Sequence, residues 1–218
     1  GGNYKNIRLS FQEYFEKLGN QPEKWGKPLS SLLGAYDAQM NFELAAIGGK
    51  DSMSGSFQDI HVPPTLISFA CANGEKKNII SPEFKKAGNK LYLFNHISQE
   101  NGMPNYGDLK QIFDFIFENI KAKKIVSVKT IKEGGVAVAL SKMSFGNHLG
   151  AEVELAEDLL LTKNIGSLII ESSAVLENDL LQVIGEISNS SNLKINTFEF
   201  NIEKLLEAWK GTFEELFP

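Results

Sequence analysis

Ala46-Ile47-Gly48-Gly49-Lys50-Asp51-Ser52-Met53-Ser54-Gly55 is the densest concentration of chemistry in the chain, and the reading of the rest turns on it. Glycines let a backbone turn tightly and approach a ligand closely, and successive N–H groups in such a turn form an anion-binding nest. A carboxylate beside a nest suits a hard cation such as magnesium, which binds through oxygen and bridges protein carboxylates to phosphate. On that reading Asp51 is the metal ligand, Lys50 the phosphate counter-charge, and Ser52 or Ser54 a hydroxyl donor. The spacing is not that of a Walker A loop, which needs Gly-x-x-x-x-Gly-Lys-Ser/Thr. A plain glycine-rich turn with solvated polar residues fits the same pattern, and the residues alone do not choose between the two.

Around this segment the periodicity alternates between helix and strand. Phe11, Tyr14, Phe15 and Leu18 fall at i, i+3, i+4 and i+7 and predict a helix ended by Gly19-Asn20. Leu29, Leu32, Leu33, Tyr36, Met40 and Leu44 predict a longer one leading into the motif. Leu109, Ile112, Phe113, Ile116 and Ile120 predict a third, opened by Gly107-Asp108, and Ile202, Leu205, Leu206, Trp209 and Phe213 a last. Each carries one apolar stripe and is expected to lie on a sheet or on another helix, the aromatic stripes being core. Thr65–Cys71, Lys90–Phe94, Ala151–Leu155 and Ser167–Glu171 read as strands, with weaker signals at Val126–Val128, Leu181–Ile184 and Leu193–Phe198. Interspersed strands and helices imply a layered α/β (α+β) protein. The polar run Asn73-Gly74-Glu75-Lys76-Lys77-Asn78 is the expected seam.

The 218 residues carry 22 Lys plus Arg against 27 Asp plus Glu, a formal charge of −5, which argues against a protein that coats nucleic acid. One cysteine, Cys71, excludes an intramolecular disulfide and a cysteine-based zinc site, and reads as a small buried strand residue. No stretch approaches the roughly 18 apolar residues of a membrane span, and the start lacks the apolar run of a signal peptide, so no membrane is expected and the cytoplasm is the default. The chain opens on Gly1-Gly2 rather than Met, as a piece of something longer would. His148 reads as a hydrogen-bonded loop residue, and neither His61 nor His96 suggests a role. The cluster Lys121-Ala122-Lys123-Lys124 is explained by the favourable field of a helix C-terminus.

Gly48-Gly49-Lys50-Asp51-Ser52-Met53-Ser54 resembles the G-G/V-G-K-D-S-M/L-S segment of the phosphoribosylformylglycinamidine synthase family. Pro64-Thr65-Leu66-Ile67-Ser68-Phe69-Ala70 resembles its P-x-x-L-V-I-S-A strand, and Ile80-Ser81-Pro82-Glu83 its T-P-x-L turn. Gly134 to Leu140 and Met143 to Gly150 resemble its D-G-G-L…L-x-E-M-A-F-x-G-x-C/L-G block. The end, with Trp209 and Thr212, resembles its L-x-x-x-W-x-x-T tail. The resemblance runs in order along nearly the whole chain. It departs at Glu133, where the family has Asp, and at Leu161-Thr162-Lys163-Asn164, where the family is acidic. Both changes weaken a catalytic role for the second part of the chain.

The resemblance implies residues 1–75 as part of an N-terminal-type, ATP-binding domain and residues 76–218 as a C-terminal-type α/β domain like that of aminoimidazole ribonucleotide synthetase. It implies an ATP-dependent C–N ligase of the glutamine amidotransferase type in purine biosynthesis, acting on formylglycinamide ribonucleotide. Gly48, Gly49, Lys50, Ser52 and Ser54 would contact ATP or substrate and Asp51 would hold magnesium; no catalytic residue is assigned. Cys71 lacks the surroundings of a glutaminase nucleophile, so the glutaminase and further synthetase domains of the same polypeptide are expected elsewhere and the isolated piece is expected to be inactive. Apolar surface left uncovered would favour a homodimer. Other readings are a nucleotide-binding module without turnover, or a related enzyme such as selenophosphate synthetase or thiamine monophosphate kinase.

Overall fold

In the computed structural model residues 1–214 are described, with side chains through Gly211. The side chains of Thr212 and Phe213, part of the last predicted helix, lie outside the described residues. The chain forms two compact units that meet in sequence at Lys76 and Lys77.

The first unit contains strand β1 (Arg8–Tyr14), helix α1 (Pro22–Phe42), strand β2 (Ala45–Ser52), a small hairpin of β3 (Ser56–Phe57) and β4 (Ile60–His61), and strand β5 (Thr65–Cys71). β1 is the middle strand of a three-stranded sheet, parallel to β2 and antiparallel to β5. The helix expected from Phe11 to Leu18 is therefore absent. Leu9, Phe11 and Phe15 also alternate with Ser10, Gln12 and Tyr14, and hydrogen bonding along both edges of β1 favours this second period over the helical one.

Helix α1 occurs where expected, begun by Pro22 in its first turn and ended at Glu43, whose left-handed backbone (φ 57°) lets its N–H donate to the Gln39 carbonyl. Lys24 and Lys27 on its first turns bind Glu16, holding that carboxyl at about 2. Its apolar stripe, however, is not core: Trp25, Leu29, Leu32, Leu33, Tyr36 and Met40 are 53–59% exposed, and only Pro28 and Ala35 are buried. Cys71 is likewise exposed, correcting its reading as a buried residue, because β5 has little covering its side chains within this unit.

The second unit is a seven-stranded sheet with β6 (Lys90–Phe94), β7 (Ile125–Thr130), β8 (Gly150–Val153), β9 (Leu168–Ser172), β10 (Leu181–Ser188), β11 (Asn192–Ile195) and β12 (Phe198–Asn201) in the order β12-β11-β8-β10-β6-β9-β7. Only the β8–β11 pair is parallel. The weak signal across Leu193–Phe198 resolves into a hairpin, β11 turning into β12 at Asn196, whose left-handed backbone (φ 53°) asparagine tolerates. Helix α2 (Tyr106–Lys121) buries Leu109, Ile112, Ile116 and Ile120, and its cap is Asn105, whose Oδ1 accepts from the Asp108 N–H.

Helices α3 (Gly135–Ser144) and α4 (Ile202–Glu214) pack together and close one face of the sheet. Val136, Ala139, Leu140 and Met143 of α3 meet Leu91, Leu93, Val153, Ile169, Ile184 and Ile187 in one apolar cluster. Trp209 on α4 remains half exposed, stacked obliquely against Phe145. Among the described residues no helix is long and apolar enough to cross a membrane.

Candidate functional site

The motif that reads as a loop is mostly a strand. Gly48, Gly49, Lys50, Asp51 and Ser52 lie on β2, in register with Ser10, Phe11, Gln12, Glu13 and Tyr14 of β1, and Ser54 follows in the connection to the β3–β4 hairpin. An extended chain points successive N–H groups in opposite directions, so these residues do not form the nest expected of them. The strand forms because α1 delivers the chain beside β1, and Gly49 allows the closest part of that approach: a Cβ there would lie 2.3 Å from the Phe11 carbonyl oxygen. Gly55 is similarly constrained, with a Cβ placed 2.3 Å from Val62 Cγ1.

Alternation along β2 sends Gly49 and Asp51 to one face and Gly48, Lys50 and Ser52 to the other. The Lys50 ammonium nonetheless stays near Asp51, its Nζ lying 3.4 Å from the Asp51 carbonyl oxygen, and both residues line one cleft. The register places Asp51 beside Glu13, directly opposite it on β1. The two carboxylates open into a cleft of about 310 Å³ between the sheet and α1, lined by Phe11, Glu13, Leu32, Ala35, Gln39, Gly49, Lys50 and Asp51. Burial and then the charge of Asp51 push the Glu13 carboxyl above its ordinary range. Gln39 braces the cleft from α1, donating to the Ala35 carbonyl and accepting from the Ala46 N–H.

Glu13 is absent from the sequence-derived site because it falls in the segment that reads as a helix. Once that segment is a strand, its register with Asp51 is the signal. The donor set is two carboxylates facing a cleft large enough for a phosphate chain. That suits magnesium, which takes one or two protein carboxylates and completes its shell with phosphate and water. No group of three or more His, Cys, Asp or Glu able to hold a metal occurs among the described residues.

The remaining sequence candidates have structural partners. His148 Nδ1 lies 2.9 Å from Glu203 on α4, and Ser56 Oγ lies 2.8 Å from His61 Nδ1 while accepting from the Lys17 N–H. His96 is buried: Asn105 N–H donates to its Nε2 and its Nδ1 faces the Ile165 carbonyl, which fixes the start of α2. Glu133 and Lys163, the two departures from the family pattern, pair at 2.5 Å. Sequence reading also passes over Glu171, fully buried on β9, which accepts from the N–H groups of Lys85 and Lys86 and from the Asn89 amide.

No protein-family profile matches the sequence. A subunit named phosphoribosylformylglycinamidine synthase subunit PurL, from Methanocaldococcus jannaschii, is 26% identical over 91% of this chain and 32% of its own length. The chain therefore spans about a third of the length of the curated relatives it matches. Among solved structures, PurLQS from Thermotoga maritima superposes with a TM-score of 0.71 at 12% identity, covering 94% of this chain and 38% of that one. Thermotoga maritima PurL complexed with ATP gives 0.69 at 11% identity over 93% and 38%. By sequence and by fold, over nearly all of its length, this chain is homologous to part of phosphoribosylformylglycinamidine synthase subunit PurL.

Proposed function

We propose that this chain is a portion of an ATP-dependent C–N ligase that converts formylglycinamide ribonucleotide, glutamine and ATP to formylglycinamidine ribonucleotide, ADP, phosphate and glutamate in cytoplasmic purine synthesis. Residues 1–75 contribute part of an ATP-binding, N-terminal-type domain and residues 76–218 a C-terminal-type domain. Further synthetase domains and a glutaminase belong to the same assembly. The reading is carried by the facing carboxylates of Glu13 and Asp51 on the strand that bears the resembled motif. Support also comes from a relative named for this enzyme and from a solved neighbour complexed with ATP.

In this assignment Asp51 and Glu13 hold magnesium, whose chemistry is to neutralise charge on the phosphate chain. Gly49 keeps β2 close against β1 so that the two carboxylates stay adjacent. Lys50, which lines the same cleft, supplies the counter-charge to phosphate, and Ser52 and Ser54, farther along the chain, meet substrate or a neighbouring domain. A module that binds nucleotide without turnover is the second reading. Selenophosphate synthetase and thiamine monophosphate kinase chemistry is set aside on the Lys50-Asp51-Ser52-Met53-Ser54 run.

Titrating the full chain with ATP, with and without magnesium, tests the proposal. Magnesium-dependent binding is expected, weakened about tenfold or more by Asp51→Ala, with no turnover by the chain alone. In the enzyme assembled with its remaining domains, the same substitution is expected to reduce kcat by about 10²–10³. Unchanged magnesium dependence together with unchanged turnover would exclude the assignment, and binding without turnover in the assembled enzyme would support the second reading.

The stripe of Trp25, Leu29, Leu32, Leu33, Tyr36 and Met40 is assigned to contact with the missing domains. Alone, the chain is expected to self-associate through it, and Leu32→Asp to shift size-exclusion elution to the monomer. A wild-type monomer at all concentrations would contradict this.

A further inference from the structure

The seam Asn73-Gly74-Glu75-Lys76-Lys77-Asn78 has no part in the proposed function, and it opens on an asparagine followed by glycine. The chain has a second such step at Asn101-Gly102. An asparagine before glycine is open to attack on its side-chain amide by the next backbone nitrogen, because glycine carries no Cβ to hinder the approach. Attack requires that this N–H be free and that the backbone be able to turn toward the side chain.

Exposure does not separate the two steps, since all four residues are exposed. Hydrogen bonding does. The Gly102 N–H donates to the Gln99 carbonyl at 2.8 Å, and Asn101 Oδ1 accepts from the Met103 N–H at 3.0 Å. The Gln99 N–H closes the turn on the Met103 carbonyl at 2.8 Å, and Gly102 is held in left-handed backbone (φ 78°). Both the attacking nitrogen and the side chain under attack are therefore occupied. Asn73 and Gly74 lie outside helix and strand, past the pairing of Cys71 with Arg8 that ends the register of β5. Neither takes part in a hydrogen bond among the described residues. A Cβ on Gly74 would meet nothing nearer than Gly2 Cα at 3.7 Å, so the segment has room to turn. Asn73 also borders an open cleft of about 510 Å³ with Asn6, Arg8, Cys71 and Ala72, through which water reaches it.

We propose that Asn73 is a site of spontaneous deamidation, with the chain itself as reactant and water as the one co-reactant. The Gly74 nitrogen bonds to Asn73 Cγ and gives up its proton. The bond from Cγ to Nδ2 breaks, and Nδ2 leaves with that proton as ammonia. The product is a five-membered succinimide. Water then opens the ring, its hydroxyl adding to one carbonyl carbon and its proton returning to the nitrogen. Cleavage at Cγ gives aspartate; cleavage at the backbone carbonyl gives isoaspartate, whose main chain runs through Cβ and Cγ. Either product adds a negative charge to the seam. Isoaspartate also lengthens the main chain by one methylene just before Lys77, where the second unit begins. The proposal is independent of the role given to Asp51.

Incubating the full chain in mildly alkaline buffer, then separating asparagine, aspartate and isoaspartate peptides by mass spectrometry, tests it. Methyl transfer from S-adenosylmethionine by an isoaspartyl methyltransferase marks the isoaspartate independently. Asn73 is expected to convert about tenfold or more faster than Asn101, whose turn must open first. In denaturant, which removes that turn, the two are expected to convert at similar rates. Gly74→Ala, which the open space around Gly74 accommodates, is expected to slow Asn73 severalfold and leave Asn101 unchanged. Equal or faster conversion of Asn101 in the folded chain, an Asn73 peptide that takes no methyl label, or a rate difference that persists in denaturant would each overturn the proposal.

Discussion

Glu171→Leu is expected to destabilise the C-terminal unit by about 3–5 kcal/mol, lowering its Tm by roughly 10 °C. The side chain is fully buried beside β6, and its carboxylate receives the Lys85 N–H at 2.9 Å, the Lys86 N–H at 3.2 Å and the Asn89 amide at 2.6 Å. Leucine fills the space but leaves those donors without their acceptor, the Asn89 amide in a buried position. Glu171→Gln, which keeps one oxygen, should cost less than Glu171→Leu. Burial pushes the Glu171 carboxyl above its ordinary 4.5, with the bonds from Asn89, Lys85 and Lys86 only partly opposing this. A raised folded-state value means the native protein retains a proton that the unfolded chain has released. The contribution is complete below 4.5 and is lost as pH rises through the folded value. Glu83, held at about 2 by Lys85 and Ser81, acts in the opposite sense, its contribution present above 4.5 and lost as pH falls toward 2. Melting curves across the acid range should therefore show stability declining above pH 4.5 in the native sequence and not in Glu171→Leu. Equal slopes in the two proteins would remove Glu171 as the cause.

Most of the C-terminal unit is legible in sequence because its signals are redundant. Lys90–Phe94 is a compact leucine and aromatic run with turns on both sides, and α2 has a clean stripe, although its cap is Asn105, two residues before the expected Gly107-Asp108. Helix α3 is not among the predicted helices because the Val-Ala-Val-Ala-Leu run after Gly134-Gly135 has little polar contrast, although Val136, Ala139, Leu140 and Met143 do fall at i, i+3, i+4 and i+7. The N-terminal unit is harder. Phe11, Tyr14, Phe15 and Leu18 satisfy a helical period that two neighbouring strands override, and no local pattern announces those neighbours. That one misreading also hides Glu13, so the sequence shows one carboxylate of the cleft and not its partner.

Gly49→Ala is expected to disrupt the N-terminal unit, a result that separates the two roles a glycine in this motif can have. If Gly49 served to let a ligand approach, alanine would weaken binding and leave the fold intact. The geometry favours the other role: the new methyl would lie 2.3 Å from the Phe11 carbonyl oxygen and 3.1 Å from its carbon, backbone atoms of the central strand that cannot rotate away. Relief requires β2 to separate from β1 over the register that pairs Gly49 with Phe11 and Asp51 with Glu13. A cost of about 3 kcal/mol or more follows from forced backbone displacement, large for a small unit with an exposed apolar helix. Magnesium-dependent ATP binding should then disappear together with the amide protection of β1 and β2, while the C-terminal unit melts as in the native chain. Asp51→Ala provides the contrast, with protection retained and binding lost. Protected β1 and β2 amides in Gly49→Ala, with weakened binding, would return Gly49 to the ligand and remove close strand packing as the reason for that glycine.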